Sequence, residues 1–274
     1  MATRVDRDQI VPLLREEFAA LVELGDRLSD AEWATPTCLP GWTVKDSLSH
    51  LAGTEAMLLG DPAPTVEVSH LSHMGNDIAR ANEAWVESRR AESGADVVGW
   101  FREVTDRRLV ALDAMDQAAF DEPSWTPAGP DETYGRFMRI RHYDCFLHEH
   151  DMRAALGVAD RDDPRHVASA LTEPAGALGY IVGRKAMLPA GTTVRVAVTG
   201  AVEDAWLVEV AERASVVDHL DGEPTVAVEM AVMCFFRLTG GRHEDPTEAV
   251  PAGVTISGDQ ALGEQLVANL AFTI

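Results

Sequence analysis

The feature that most limits what this chain can become is a change in the rhythm of its apolar residues. Up to Gly157 they return every three or four positions, the period of helices buried along one stripe. Beyond it, short runs alternate apolar and polar, the period of strands with one covered face. In the first part, Ile10, Leu13, Leu14, Phe18, Leu21, Val22 and Leu28 mark a helix from Asp8 to Leu28. The turn Cys38-Leu39-Pro40-Gly41-Trp42 leads to Thr43, which with Asp46 makes a capping-box-like start for a second helix reaching Leu59. A third helical stretch runs from Leu71 to Met115, with a break expected near Ser93-Gly94. Pro123, Pro127, Gly129 and Pro130 predict a loop, and Tyr134 to Leu156 a fourth helix closed by Gly157.

Arg161-Asp162-Asp163-Pro164 then reads as a linker. A helix over His166 to Val182 precedes alternating runs at Val194–Val198, Trp206–Val210 and Val226–Met230. Ala231 to Leu238 is more helical, Val254–Ile256 a short strand, and Gln260 to Leu270 a last helix. The prediction is two domains: a bundle of four long helices over residues 1–160 and a smaller α+β domain over 161–274.

Charge narrows the function. Against 23 Lys and Arg stand 45 Asp and Glu, a net −22, which argues against nucleic acid and anionic lipid as partners. The longest apolar runs, such as Ala231 to Phe236, are far too short to span a bilayer. The first residues, Met-Ala-Thr-Arg-Val-Asp-Arg-Asp, hold no apolar core of a secretory signal. Cys38, Cys145 and Cys234 are odd in number and widely separated, so no disulfide scaffold is expected. The expectation is a cytoplasmic protein, monomer or homodimer, without nucleic-acid or membrane partners.

Of the nine histidines, the informative ones cluster in Arg141-His142-Tyr143-Asp144-Cys145-Phe146-Leu147-His148-Glu149-His150-Asp151. At about 100° per helical residue, His148 lies about 40° from Asp144, while His142 and His150 fall about 160° and 240° away. Asp144 and His148 therefore share a face and can hold one metal ion together, or form an ordinary helical ion pair. His142 and His150 are expected on a solvated or interdomain face. A third ligand must come from another helix; His50, two turns after the Thr43 cap, is the candidate, unless it is a buried histidine bonded to a carbonyl. Two histidines and a carboxylate with open positions make a catalytic rather than structural zinc set. His70 and His73, three apart in a polar segment, and Arg237, Arg242 and His243 around Gly240-Gly241 read as exposed. Cys145 reads as a small buried thiol, and Trp33, Trp42, Trp85, Trp100, Phe18 and Phe101 as mostly core.

Gly41-Trp42-Thr43-Val44-Lys45-Asp46 with His50-Leu51, and Asp144-x-x-x-His148-x-x-Asp151-x-Arg153-x-Ala155-Leu156-Gly157, resemble the mycothiol-dependent maleylpyruvate isomerase family of actinobacteria. Val254-Thr255-Ile256-Ser257-Gly258-Asp259 through Asn269-Leu270-Ala271-Phe272 resemble its C-terminal part. The resemblance implies a DinB-like metal-binding four-helix bundle followed by a sterol-carrier-protein-like domain. It implies His50, Asp144 and His148 as metal ligands, with Asp144 departing from the family's usual Glu; Asp151 is then an acceptor orienting His148 or a plain helix-surface charge. It also implies a zinc-bound thiolate of mycothiol adding to an electrophilic small molecule, as an isomerase or S-transferase. The rival is a non-catalytic small-molecule or lipid-binding protein that keeps a metal site.

Overall fold

A computed structural model describes residues 2–68, 76–242 and 250–273. The chain divides into two compact units, Met1–Arg161 and Asp162–Ile274.

In the first unit the long helices are α1 (Arg7–Gly25), α3 (Val44–Leu58), α5 (Gly94–Ala114) and α7 (Tyr134–Ala155), with the short α2 (Asp30–Trp33), α4 (Asp77–Arg89) and α6 (Gln117–Asp121) between them. α1 packs on α5 and α7, and α3 packs on the same two, so the four enclose one core. Leu14, Phe18, Leu21, Leu48, Leu51, Phe101, Leu112 and Met138 fill it, all buried. Caps fix where the helices start. The Thr43 hydroxyl accepts from Asp46 N while Asp46 accepts from Thr43 N, the reciprocal box expected at the head of α3. Ser93 and Asp96 form a second box, which splits the third helical stretch into α4 and α5 where the break was expected. The beginning of that stretch, with His70 and His73, lies outside the described residues.

Two glycines permit close approach. A Cβ on Gly53 would lie 2.4 Å from Trp85 Cβ, and one on Gly94 2.1 Å from Trp33 Cδ1. The proline-rich segment expected as a loop is instead a hairpin, β1 (Pro123–Thr126) with β2 (Gly129–Thr133). The Thr126 hydroxyl ties its turn by donating to Gly129 O at 3.1 Å and accepting from Ala128 N at 3.1 Å. β2 then delivers Thr133, whose hydroxyl caps α7. At its far end α7 closes on Gly157, with φ +64°, and Val158 N bonds back to Arg153 O.

The second unit opens with α8 (Pro164–Tyr180), whose last turn relaxes into a π-helical segment, Ile181–Lys185. Its sheet has the order β5-β4-β3-β6-β7, from β3 (Thr193–Thr199), β4 (Asp204–Val210), β5 (Ala214–Val217), β6 (Val226–Ala231) and β7 (Thr255–Gly258). Among the described residues of this sheet only the β3–β6 pair is parallel, with Val196 opposite Val228. α8, α9 (Val232–Thr239) and α10 (Gln260–Val267) pack against the strands, and alternate residues Val194, Val196, Val198, Val226, Val228 and Met230 are buried. The mixed α-plus-β expectation holds; the edge strand β5 was not foreseen, because Ala214-Ser215-Val216-Val217 is too short to show alternation. Among the described residues no helix is long and apolar enough to cross a membrane.

Candidate metal centre

α3 and α7 face each other across the core of the first unit, and their facing sides bring three side chains together. Asp144 and His148 are one turn apart on α7, and His148 Nε2 lies 3.6 Å from Asp144 Oδ1. From α3, His50 Nε2 lies 3.2 Å from Asp144 Oδ2. The two imidazole centres are 4.9 Å apart with their planes at 68°. One ligand atom from each residue falls within 4.8 Å of the others.

These distances fit an ion. Two ligands at 2.0–2.1 Å from a tetrahedral metal sit roughly 3.4 Å from each other, close to both carboxylate–imidazole separations. The protonation states fit as well. Burial lowers the pKa of His50, which favours the neutral ring with a free lone pair. Burial alone would raise the Asp144 carboxyl, but Arg141, His50 and His148 outweigh it and hold it well below the usual range, so it stays ionised. His50 and His148 are only 5% and 6% exposed, whereas the Asp144 side chain is 29% exposed and forms the open side. His50 Nδ1 is buried without a hydrogen-bond partner among the described residues. His148 Nδ1 lies 3.2 Å from Asp151 Oδ2, within reach of an ion pair but off the line of an N–H···O bond. The other Asp151 oxygen accepts from the Cys38 thiol at 3.3 Å.

Several neighbours escaped the sequence reading. Trp42, expected among core aromatics, is half-buried and lies over both imidazoles, 5.3 Å from His50 and 5.9 Å from His148. Its indole donates to Glu83 Oε2 at 2.7 Å, and Glu83 also receives Arg90. Behind Asp144, Arg141 Nη1 donates to Oδ2 while Arg141 Nε donates to Glu55 Oε1 at 2.8 Å. The other Glu55 oxygen accepts from Arg108 Nε at 3.0 Å, and Arg108 also reaches the Tyr134 hydroxyl. The one signal in the sequence was charge inside apolar helix faces, which periodicity counts as noise.

Of the two faces expected for His142 and His150, solvated or interdomain, the solvated one does not hold: both are buried, and α1 packs on α7 while the chain after Gly157 folds back over it. His150 Nδ1 donates to Phe146 O at 2.6 Å and Nε2 accepts from Arg161 N at 3.3 Å, which makes it a brace for that returning segment. Cys145 is buried as expected, and burial pushes its thiol well above the ordinary value. His243 lies outside the described residues.

A helical unit with two imidazoles and a carboxylate converging in its core, joined to a mixed-sheet unit, defines a class: α-plus-β proteins with a side-chain group between facing helices that could hold a metal ion. Residues 14–153 match the mycothiol maleylpyruvate isomerase N-terminal domain, about half of the chain. The chain belongs to that family. The crystal structure of the mycothiol-dependent maleylpyruvate isomerase is similar over 94% of this chain and 96% of that one, at 16% identity and a TM-score of 0.61. A histidine-to-alanine mutant of that isomerase gives 0.60 at the same identity and coverage. At such identity the likeness speaks for the fold. No curated protein matches the chain.

Proposed function

We propose that this protein is a metal- and thiol-dependent enzyme, with His50, Asp144 and His148 as ligands of a divalent ion, zinc by its donor set, and mycothiol as cosubstrate. The observation that carries this reading is the convergence of the three side chains from two helices, with one open side. Zinc, when bound, would supply the charge that keeps a thiol ionised near neutral pH. His50 offers a neutral ring because burial disfavours its cation, and Asp144 offers a carboxylate because Arg141 holds it ionised. Trp42 covers the imidazole pair and keeps water from that side. The thiolate then meets an electrophilic small molecule held in line at the open side. Addition to an activated double bond, rotation about the resulting single bond and loss of the same thiolate is an isomerisation that consumes no thiol. Displacement of a leaving group instead gives an S-transferase.

The four enclosing helices and the helix-covered mixed sheet support the finer likeness to a DinB-like bundle with a sterol-carrier-protein-like domain. The test is metal per chain by elemental analysis, followed by turnover of maleylpyruvate and a panel of other electrophiles. About one ion per chain and turnover only with both metal and mycothiol are expected. Metal-free protein that co-purifies with an apolar ligand and turns nothing over would decide for the binding protein.

A further inference from the structure

The ion pairs behind the candidate ligands form one buried chain. It runs from the Tyr134 hydroxyl to Arg108, from Arg108 to Glu55, from Glu55 to Arg141, and from Arg141 to Asp144. Arg108, Glu55 and Arg141 are each at most 3% exposed. Such groups are costly to bury, and an unpaired one more so, so each must be satisfied by the next. The chain fixes geometry first. Glu55 divides its two oxygens between Arg108 of α5 and Arg141 of α7, and the planar guanidinium of Arg141 spans from Glu55 to Asp144 Oδ2. Asp144, the most exposed of the three candidate ligands, is thereby held in one rotamer by a residue that is itself held from two sides.

The chain also fixes charge. Arg108 and Arg141 carry two positive charges, and Glu55 and Asp144 two negative ones, so this set is neutral. The Asp144 charge is already matched by Arg141 and is not left over to neutralise an ion. Asp151, beside His148, adds one negative charge. Glu83, behind Trp42, shares Arg90 with Asp46 and Glu87, and this acidic group touches the candidate ligands through the Trp42 ring. Counting only the charged groups in direct contact with the three side chains, Arg141 and Asp151, a divalent ion between His50, Asp144 and His148 would leave about one positive charge uncompensated in a largely water-excluded place, where charge is felt strongly.

We propose that Arg141 is the positioning residue of this site: it fixes Asp144 and cancels its charge, so that the open side takes an anionic ligand, a thiolate, in preference to a neutral one. The inference rests on the reading of His50, Asp144 and His148 as metal ligands. Binding a thiol then releases its proton to solvent, and the thiolate restores neutrality.

The experiment uses the full chain loaded with Co²⁺, whose visible and thiolate charge-transfer absorption reports the bound ligand without any turnover. Mercaptoethanol and imidazole are titrated as the anionic and the neutral probe. Arg141→Met should weaken mercaptoethanol binding by roughly tenfold and leave imidazole within about twofold, since one nearby positive charge is lost. Arg141→Lys should recover most of the thiol preference because the charge remains, while the cobalt spectrum shifts because a point ammonium cannot span Glu55 and Asp144. Glu55→Gln should move the preference the other way, towards tighter thiol binding, and serves where Arg141→Met fails to fold. Equal losses for both probes in Arg141→Met, or an unchanged preference across the variants, would overturn the inference while leaving the metal reading intact. Failure of the unaltered protein to take up cobalt would overturn the metal reading itself, and this inference with it.

Discussion

His148 and His150 are two residues apart on α7, roughly 200° around the helix, and their surroundings divide accordingly. His148 faces His50 and Asp144, and removing one of three proposed ligands would leave a site too poor to compete with buffer, so His148→Ala should lose stoichiometric metal. His150→Ala should keep its metal, but the loss of the bonds to Phe146 O and Arg161 N should cost about 1–3 kcal/mol. Metal per chain and thermal unfolding, measured side by side, separate the two roles; the reverse pattern of metal loss would refute the assignment. Asp144→Glu restores the carboxylate that the family resemblance leads one to expect. It should retain metal and raise any isomerase activity, and a fall in thiol-dependent turnover would show that the shorter reach is an adaptation of this chain.

At the scale of elements, α3 meets α4 through a missing side chain. The Cβ of Gly53→Ala would lie 2.4 Å from Trp85 Cβ, so one helix must move, at a cost of about 1–3 kcal/mol. Calorimetry should show a lower Tm; an unchanged Tm would mean that the α3–α4 contact is soft. The end of α7 is held by charge. Glu149 and Glu17 are both fully buried and share Arg161, and Arg153 adds a bond to Glu149. Burial works to raise the Glu149 pKa, but Arg161 outweighs it and lowers it to about 2. A carboxyl depressed from 4.5 in the unfolded chain to about 2 contributes stability that is complete above pH 4.5 and is lost as pH falls through 2. Unfolding free energy should therefore decline between about pH 4.5 and 2, and Arg161→Met should flatten that decline. An unchanged slope in urea titrations at several pH values would count against the pairing.

At the scale of the molecule, all three candidate ligands and the charged chain behind them lie within Met1–Arg161. A fragment ending at Asp163, which keeps Arg161 over Glu149, should therefore bind cobalt with the affinity of the full chain. Loss of binding in a folded fragment would place a needed contribution in the second unit.

What the sequence determined by itself is local. Spacing of 3.6 residues fixed the long helices, the Thr43–Asp46 pair fixed the start of one, Ser93-Gly94 marked the break before another, and 100° per residue put Asp144 and His148 on one face. These features depend on neighbours within a few residues, where backbone geometry leaves few choices. His50 could be named a candidate, but its 3.2 Å approach to Asp144 was set by how α3 and α7 pack, a property of the whole core. The same holds for the Glu55–Arg141 bond across 86 residues, for Trp42 over the imidazoles, and for the burial of His142 and His150. Helical angles told which side chains share a face, and only the packed structure decided what each face meets, because partners distant in sequence are chosen by the sum of contacts and not by any local pattern.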